Sequence, residues 1–274
     1  MKVLLCCIAR LENRYIREFV EHYKKLGVDN ICLYDNNFDG EEDFNDVISD
    51  YIESGFVILH DFRNRKYAQF DSYNHCYVSY RNDYDWVMFF DIDEFLILRN
   101  HQTIKEFLSQ DKFAEYQAVH VKWKIFDDND IVYDDGRPVM ERFTTEATGT
   151  DPAYMKRENT HIKTILRGNL GILKFDNPHA PKGHHSYKAC CADGSQHGFT
   201  TFFSSHYCED AELYHYTTKS IGEYIMKIKR GSAATPRPYQ TYIDKFFGVN
   251  KPTKEKIDII LEQTGVDMSH LLNQ

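Results

Sequence analysis

The run Trp86-Val87-Met88-Phe89-Phe90, followed at once by Asp91-Ile92-Asp93-Glu94 and then Phe95-Leu96, constrains this chain more than any other stretch. A short, continuous apolar segment has the pattern of a strand buried on both faces, as in a parallel sheet covered by helices. Three carboxylates at its end put charge where open α/β sheets bind ligands, just beyond the carboxyl ends of strands. In an extended backbone residues two apart share a side, so Asp91 and Asp93 are expected to point together while Ile92 faces the core. Two convergent carboxylates repel unless a cation or a proton lies between them. Oxygen donors suit Mn2+ or Mg2+, ions that complete their shells with substrate phosphates. The plain alternative is a solvated acidic turn after a core strand, because Asp-x-Asp is a common tripeptide.

The segments before this run alternate in period. Lys2 to Ala9 has the pattern of a buried strand, and Leu11 to Leu26 repeats apolar residues at helical spacing before Gly27 closes it. Asn30 to Tyr34 reads as a strand ending in the polar loop 35–40, Asp43 to Ser54 as a helix, Gly55 to His60 as a strand and Lys66 to Asp83 as a helix. Such a β-α-β-α-β succession implies a Rossmann-like, mostly parallel sheet with flanking helices, so the fold class is α/β. Beyond Leu98 the pattern weakens. Thr103 to Asp111 reads as a short helix, Tyr116 to Ile125 and His161 to Leu166 as strands, and 127–160 as irregular structure of the kind that binds acceptors. Residues 176–208 are loop-like and rich in histidine (His179, His184, His185, His197, His206). Thr218 to Arg230, stopped by Gly231 and the Pro236–Pro238 break, and Lys254 to Thr264 read as helices. The expected organisation is a single domain, 1–274: a nucleotide-binding half over 1–100, an acceptor side over 101–235 and a helical segment over 236–274.

Composition narrows the function. A net charge of -9 argues against nucleic acid as the main partner. An acidic chain that holds a polyanion needs a metal or a local basic cluster. Tyr 19 and Phe 19 make the chain aromatic, which suits sugar surfaces and aromatic cores equally. The seven cysteines include no CxxC pair and several sit in apolar runs, the pattern of reduced thiols in a cytoplasmic protein. Val3 to Ile8 is too short for a signal segment or a membrane span, so the expected location is cytoplasmic, with a peripheral position on the inner face of the membrane.

Three ordered blocks carry a family resemblance. They are Cys6-Cys7-Ile8-Ala9-Arg10-Leu11-Glu12-Asn13 with Glu18 to Tyr23, Leu26 to Asp29 and Tyr34-Asp35-Asn36-Asn37; Asp85-Trp86 through Leu96; and His215-Tyr216-Thr217-Thr218-Lys219-Ser220 with Glu223-Tyr224 and Lys227 to Gly231. Together they resemble the family-2-type and family-92-like glycosyltransferases, with weaker matches at Trp123, Arg142 and Lys163. Leu11 stands where such enzymes often carry Asn, and Phe38 where a small hydroxyl residue is common.

The resemblance implies a GT-A type fold, a UDP-sugar donor, a glycan or lipid-linked acceptor and Mn2+ or Mg2+ as cofactor. Asp93 is the expected direct metal ligand, Asp91 a ligand through water or a holder of the donor, and His215 a further ligand. Arg10, Glu12, Asp35, Gln69, Asn74, Asp91, Lys163 and Lys219 are the expected nucleotide-sugar contacts, with Lys219 beginning a helix whose N–H groups favour phosphate. Gln69, Tyr73 and Asn74 share a helix face by their spacing. Strand-end capping, core-edge packing or a solvated lysine accounts for each of these as well. An inverting reaction needs a general base. Glu94, Asp193, Glu209 and Asp210 are candidates, as are Glu212, Asp151, Asp176 and His179, and no spacing selects among them. The expected activity is metal-dependent, inverting transfer of galactose in cell-surface polysaccharide or lipopolysaccharide synthesis by a bacterial enzyme. A sugar nucleotidyltransferase is the alternative enzyme, although Ala9-Arg10-Leu11-Glu12 lacks the glycines it needs. The non-enzymatic alternative is a carbohydrate-binding protein of the same fold.

Overall fold

The computed structural model describes residues 1–171, 173–183, 186–205, 208 and 210–273. They form two compact units interleaved along the sequence: Met1–Trp123 with Thr160–Tyr214, and Lys124–Asn159 with His215–Gln274. The chain thus leaves the first unit and returns to it.

The first unit begins with β1 (Val3–Ala9), α1 (Asn13–Lys25), β2 (Asn30–Asp35), α2 (Asn45–Glu53), β3 (Val57–Asp61), α3 (Gln69–Tyr80) and β4 (Trp86–Phe89). β5 (Glu94–Leu98), α4 (Ile104–Leu108), β6 (Ala118–Ile125), β7 (Ile162–Arg167), β8 (Ala189–Cys191), β9 (Gln196–His197) and β10 (Ala211–His215) follow. The sheet order is β3-β2-β1-β4-β7-β6-β10-β5, with β8 beside β6 and β9 beside β8. Its first half is parallel, and Ala9, Asp35 and Asp61 are in register, which aligns three carboxyl ends. At β4 the sense changes: β4 runs parallel to β1 and antiparallel to β7. The structure is α/β with a parallel half-sheet flanked by helices, as its periodicity implies.

The strand after Trp86 is shorter than its apolar run. β4 stops at Phe89, and Asp91-Ile92-Asp93 forms a turn in which Glu94 N donates to Asp91 O at 3.0 Å. The expectation of an extended Asp91–Asp93 segment is therefore corrected, although Ile92 is buried as expected. Glu94 then opens a new strand, β5, pinned by α1: Tyr23 Oη donates to Glu94 O at 2.8 Å and accepts from Leu96 N at 3.1 Å. α1 has no side-chain N-cap hydrogen bond; its hold on the sheet comes from the buried stripe Tyr15, Ile16, Phe19, Val20 and Tyr23.

The second unit holds α5 (Val139–Arg142), α6 (Pro152–Glu158), α7 (Ile221–Arg230), α8 (Tyr239–Val249) and α9 (Lys254–Thr264). Ile221, Tyr224, Ile228, Ile243, Phe246, Ile257 and Ile260 make its core. Two helices interrupt the stretch read as irregular, and α8 follows the prolines directly with Pro238 as its N-cap. α7 starts at Ile221 behind a Ser220–Glu223 capping box, and Arg142 grips Glu223 with both terminal guanidinium nitrogens, at 2.8 and 2.9 Å. Lys256 is buried between Asp128 (2.7 Å) and Asp130 (2.9 Å). All seven cysteines are free thiols, six of them buried. Among the described residues no helix is long and apolar enough to cross a membrane.

His22 supplies a test of the α1–β5 junction. Its Nε2 donates to Leu96 O at 2.9 Å, and burial lowers its pKa from 6.5 to about 4. The native state therefore favours neutral His22, and stability falls as pH drops from about 6.5 toward about 4. His22→Gln keeps an N–H donor but removes the titration. Urea titrations at several pH values are expected to show its acid-side slope reduced by up to about 1.4 kcal/mol per pH unit.

Candidate active site

The first unit builds its site around one buried ammonium. Lys163 projects from β7 with no exposed side-chain surface and lies 2.8 Å from Asp91 Oδ2 and 3.5 Å from Glu94 Oε2. Asp91 Oδ1 accepts from Gln69 Nε2 and from Tyr73 Oη, each at 2.8 Å. Glu94 is fully buried; its Oε2 accepts from Asp91 N at 2.8 Å and its Oε1 from Trp123 Nε1 at 2.8 Å. Glu94 thus folds back under the turn and fixes the backbone of the residue that leads it.

One cation facing two carboxyls sets their protonation. Burial pushes Asp91 upward, but the Lys163 charge and the hydrogen bonds from Lys163 and Tyr73 together leave the carboxyl below its ordinary range. Burial also opposes the charge on Lys163, yet Asp91 and then Glu94 raise its pKa. Glu94 goes the other way: burial pushes it well above the usual carboxylate range, and Asp91 and Asp93 add to that push against Lys163. The charge pair is Lys163 with Asp91, and Glu94 is the carboxyl that favours its proton.

This geometry brings Gln69, Asp91, Glu94 and Lys163 together. Asp93 lies in the same turn, 9% exposed. Asn74 does not join them; its amide donates to Phe175 O and accepts from Phe175 N, at 3.0 and 2.7 Å. The carboxyl end of β2 makes a second cluster. Asp35 Oδ1 accepts from Asn37 N and Nδ2, and Oδ2 from Arg63 at 2.7 Å. Arg10 is bidentate to Glu41, at 2.8 and 2.6 Å, and lies over the Phe38 ring at 3.8 Å. Glu12 is buried at the start of α1, where its carbonyl accepts from Tyr15 N and Ile16 N. Arg63 was not anticipated, although a basic residue two positions past β3 is the signal that finds it.

The second unit contains His215 and Lys219, both buried. Lys219 does not begin a helix: it adopts φ 55° and precedes the N-cap Ser220. Among the described residues no group of three His, Cys, Asp or Glu side chains is placed to hold a metal ion. Asp91 has three donors on its two oxygens, most of what a carboxylate can accept, so it fits a direct metal ligand poorly. Asp93 is a hard oxygen donor of the type Mn2+ and Mg2+ take.

The proposed bases separate by partner. Asp193 caps its own turn through Ser195. Asp210 pairs with Lys112 and Asn100, Glu212 with Arg99, and Asp176 with Lys182. Asp151 caps α6. Glu209, His184, His185 and His206 lie outside the described residues. His179 lies against Trp123, with ring centroids 5.2 Å apart.

The sequence model of glycosyltransferase family 92 matches residues 2–188, a segment that holds Asp35, Asp91, Glu94 and Lys163. The chain belongs to the family 92 glycosyltransferases. It is 32% identical over 97 residues to "Glycosyltransferase family 92 protein RCOM_0530710" of Ricinus communis, covering 35% of this chain and 17% of that protein. It is 33% identical over 124 residues to "Galactan beta-1,4-galactosyltransferase GALS3" of Arabidopsis thaliana, covering 41% of this chain and 23% of that one. These matches span less than a quarter of either relative. Among solved structures, S. aureus TarS 1-349 has 12% identity and a TM-score of 0.41, covering 96% of this chain and 70% of that chain. The mannosyltransferase PcManGT from Pyrobaculum calidifontis, in complex with GDP-Man and Mn2+, has 8% identity and a TM-score of 0.35, covering 90% and 69%.

Removing the shared cation tests the electrostatics. Lys163→Met leaves Asp91 partly buried without its counter-charge and is expected to lower stability by about 3 kcal/mol in urea unfolding. Lys163→Met combined with Asp91→Asn is expected to recover much of that loss, because the second change removes the unpaired charge.

Proposed function

We propose that this chain transfers a sugar from a UDP-sugar to a hydroxyl of a glycan or lipid-linked acceptor. The observation that carries the reading is the Lys163-braced acidic turn, which lies beyond β4 within the segment matched to family 92. Galactose is the proposed sugar, supported by the similarity to a galactan galactosyltransferase. Inversion at the anomeric carbon, a role in cell-surface polysaccharide or lipopolysaccharide synthesis, and a cytoplasmic location peripheral to the membrane belong to the same proposal.

The residues divide the work as follows. Asp93 would ligate Mn2+ or Mg2+ directly, and Asp91 through water. When bound, such an ion stabilises the negative charge that grows on the departing diphosphate. Gln69, Tyr73 and Lys163 hold the Asp91 carboxylate in a single orientation, so that it meets the donor without reorganising. Glu94 keeps the turn closed from below. Asp35, held by Asn37 and Arg63, would accept a hydrogen bond from the nucleoside, with Arg10 and Glu12 as further contacts.

Calorimetric titration of UDP, with and without Mn2+, tests this on wild type and on Asp93→Ala. The expected result is binding that requires the metal and weakens by more than about tenfold in the variant. UDP binding indifferent to both would undo the metal assignment. No binding of UDP or any other nucleotide would overturn the transferase reading and favour a carbohydrate-binding protein.

A further inference from the structure

Beside the acidic turn stands a group of rings to which the proposed donor site assigns no role. Trp123, 7% exposed, is held through its Nε1 by Glu94, the same carboxyl that accepts from Asp91 N. His161 stacks on the indole with centroids 4.9 Å apart and planes 27° apart. Phe203 meets His161 edge-on at 4.5 Å, and the two residues form an antiparallel backbone bridge. His179 closes the group, 4.9 Å from His161. All four rings belong to the first unit. Phe203 is 45% exposed, so ring contacts run without a break from solvent to the indole bonded to Glu94.

The shelf has one oriented polar edge. His179 Nδ1 lies 2.9 Å from Ile162 O, and a carbonyl only accepts, so Nδ1 carries the hydrogen. In the neutral ring Nε2 is then an acceptor. Burial, with Lys163 adding to it, lowers the pKa of His179 to about 3, which keeps the ring neutral over the physiological range. The result is an aromatic face with a fixed hydrogen-bond acceptor at its side.

We infer that this shelf seats the acceptor: a hexopyranose ring lies with its apolar C–H face on the exposed Phe203 ring and its edge toward His161, and one of its hydroxyls donates to His179 Nε2. The inference rests on the proposed transferase reading and names the acceptor class and subsite for it. A pyranose combines an apolar face with a rim of hydroxyls, and amphipathic aromatic groups bind such a shape with one apolar and one wet end. The connection through Trp123 and Glu94 puts this face next to the turn that holds Asp91. A nucleobase is the competing occupant for an aromatic surface, and titration with UDP distinguishes the two.

Saturation-transfer NMR on the full chain uses methyl β-galactopyranoside, methyl β-glucopyranoside and β-1,4-galactotetraose as probes, with UDP titrated separately. Phe203 is exposed, so Phe203→Ala leaves the core intact. The expected result is that at least one glycoside binds wild type, weakens about fivefold or more in Phe203→Ala, and is restored by Phe203→Trp. Failure of all three glycosides to bind wild type, or equal binding by Phe203→Ala, overturns the inference. Loss of UDP binding in Phe203→Ala with glycoside binding kept also overturns it, because the shelf would then hold the base. Glycoside binding that depends on Phe203 in a chain that binds no nucleotide supports the shelf while removing the transferase reading, so the two fail separately.

Discussion

The structure of the first unit depends on how one buried ammonium is shared. Lys163 has no exposed side-chain surface and faces Asp91 and Glu94 across the junction of β4 and β7. An isolated charge in that position would cost several kcal/mol, and the pairing offsets this only because the remaining lone pairs are also satisfied. Gln69, Tyr73, Trp123 and the Asp91 backbone N–H satisfy them. The network ties α3, β4, β5, β6 and β7 to a single turn, so the orientation of the carboxylates follows from the packing of the sheet. A site built this way needs little rearrangement when a charged ligand arrives.

The first half of the fold was readable because its elements carry clean periods. β1 is apolar at every position, and α1 has a continuous buried stripe, so each declares its environment locally. The turn at Asp91 was hidden because Trp86 to Leu96 is apolar on both sides of it. Two strands with different partners read as one run. α8 was hidden for a different reason. The prolines before it have the pattern of a break, whereas Pro238 occupies its N-cap. Its buried Tyr242, Ile243, Phe246 and Phe247 have helical spacing that those prolines do not disturb.

The site divides along the same line. Asp91 and Gln69 were legible as strand-end and helix-face residues, since each needs only its own element to be placed. The pairing of Lys163 with Asp91 joins residues 72 positions apart through an antiparallel neighbour, and no spacing rule reaches that far. Asn74 shared a helix face with Gln69 and Tyr73, yet the backbone of Phe175 claims its amide. Spacing selects a face of a helix, while the partner on that face is decided by tertiary packing. Arg63 and Trp123 act through residues that the sequence did single out, Asp35 and Glu94.

The change of strand sense at β4 has a consequence for how the protein is made. During synthesis β1 to β4 emerge early, and β4 can pair with β1 at once. Its other edge waits for Ile165, Leu166 and Arg167, and the carboxyls of Asp91 and Glu94 wait for Lys163 on the same strand. In that interval the growing chain carries an open apolar edge beside two uncompensated acids. Open edges recruit other strands, so this is the stage at which partly made chains are most exposed to wrong pairing. The arrival of β7 removes both hazards together, closing the edge and giving Asp91 its counter-charge in one step.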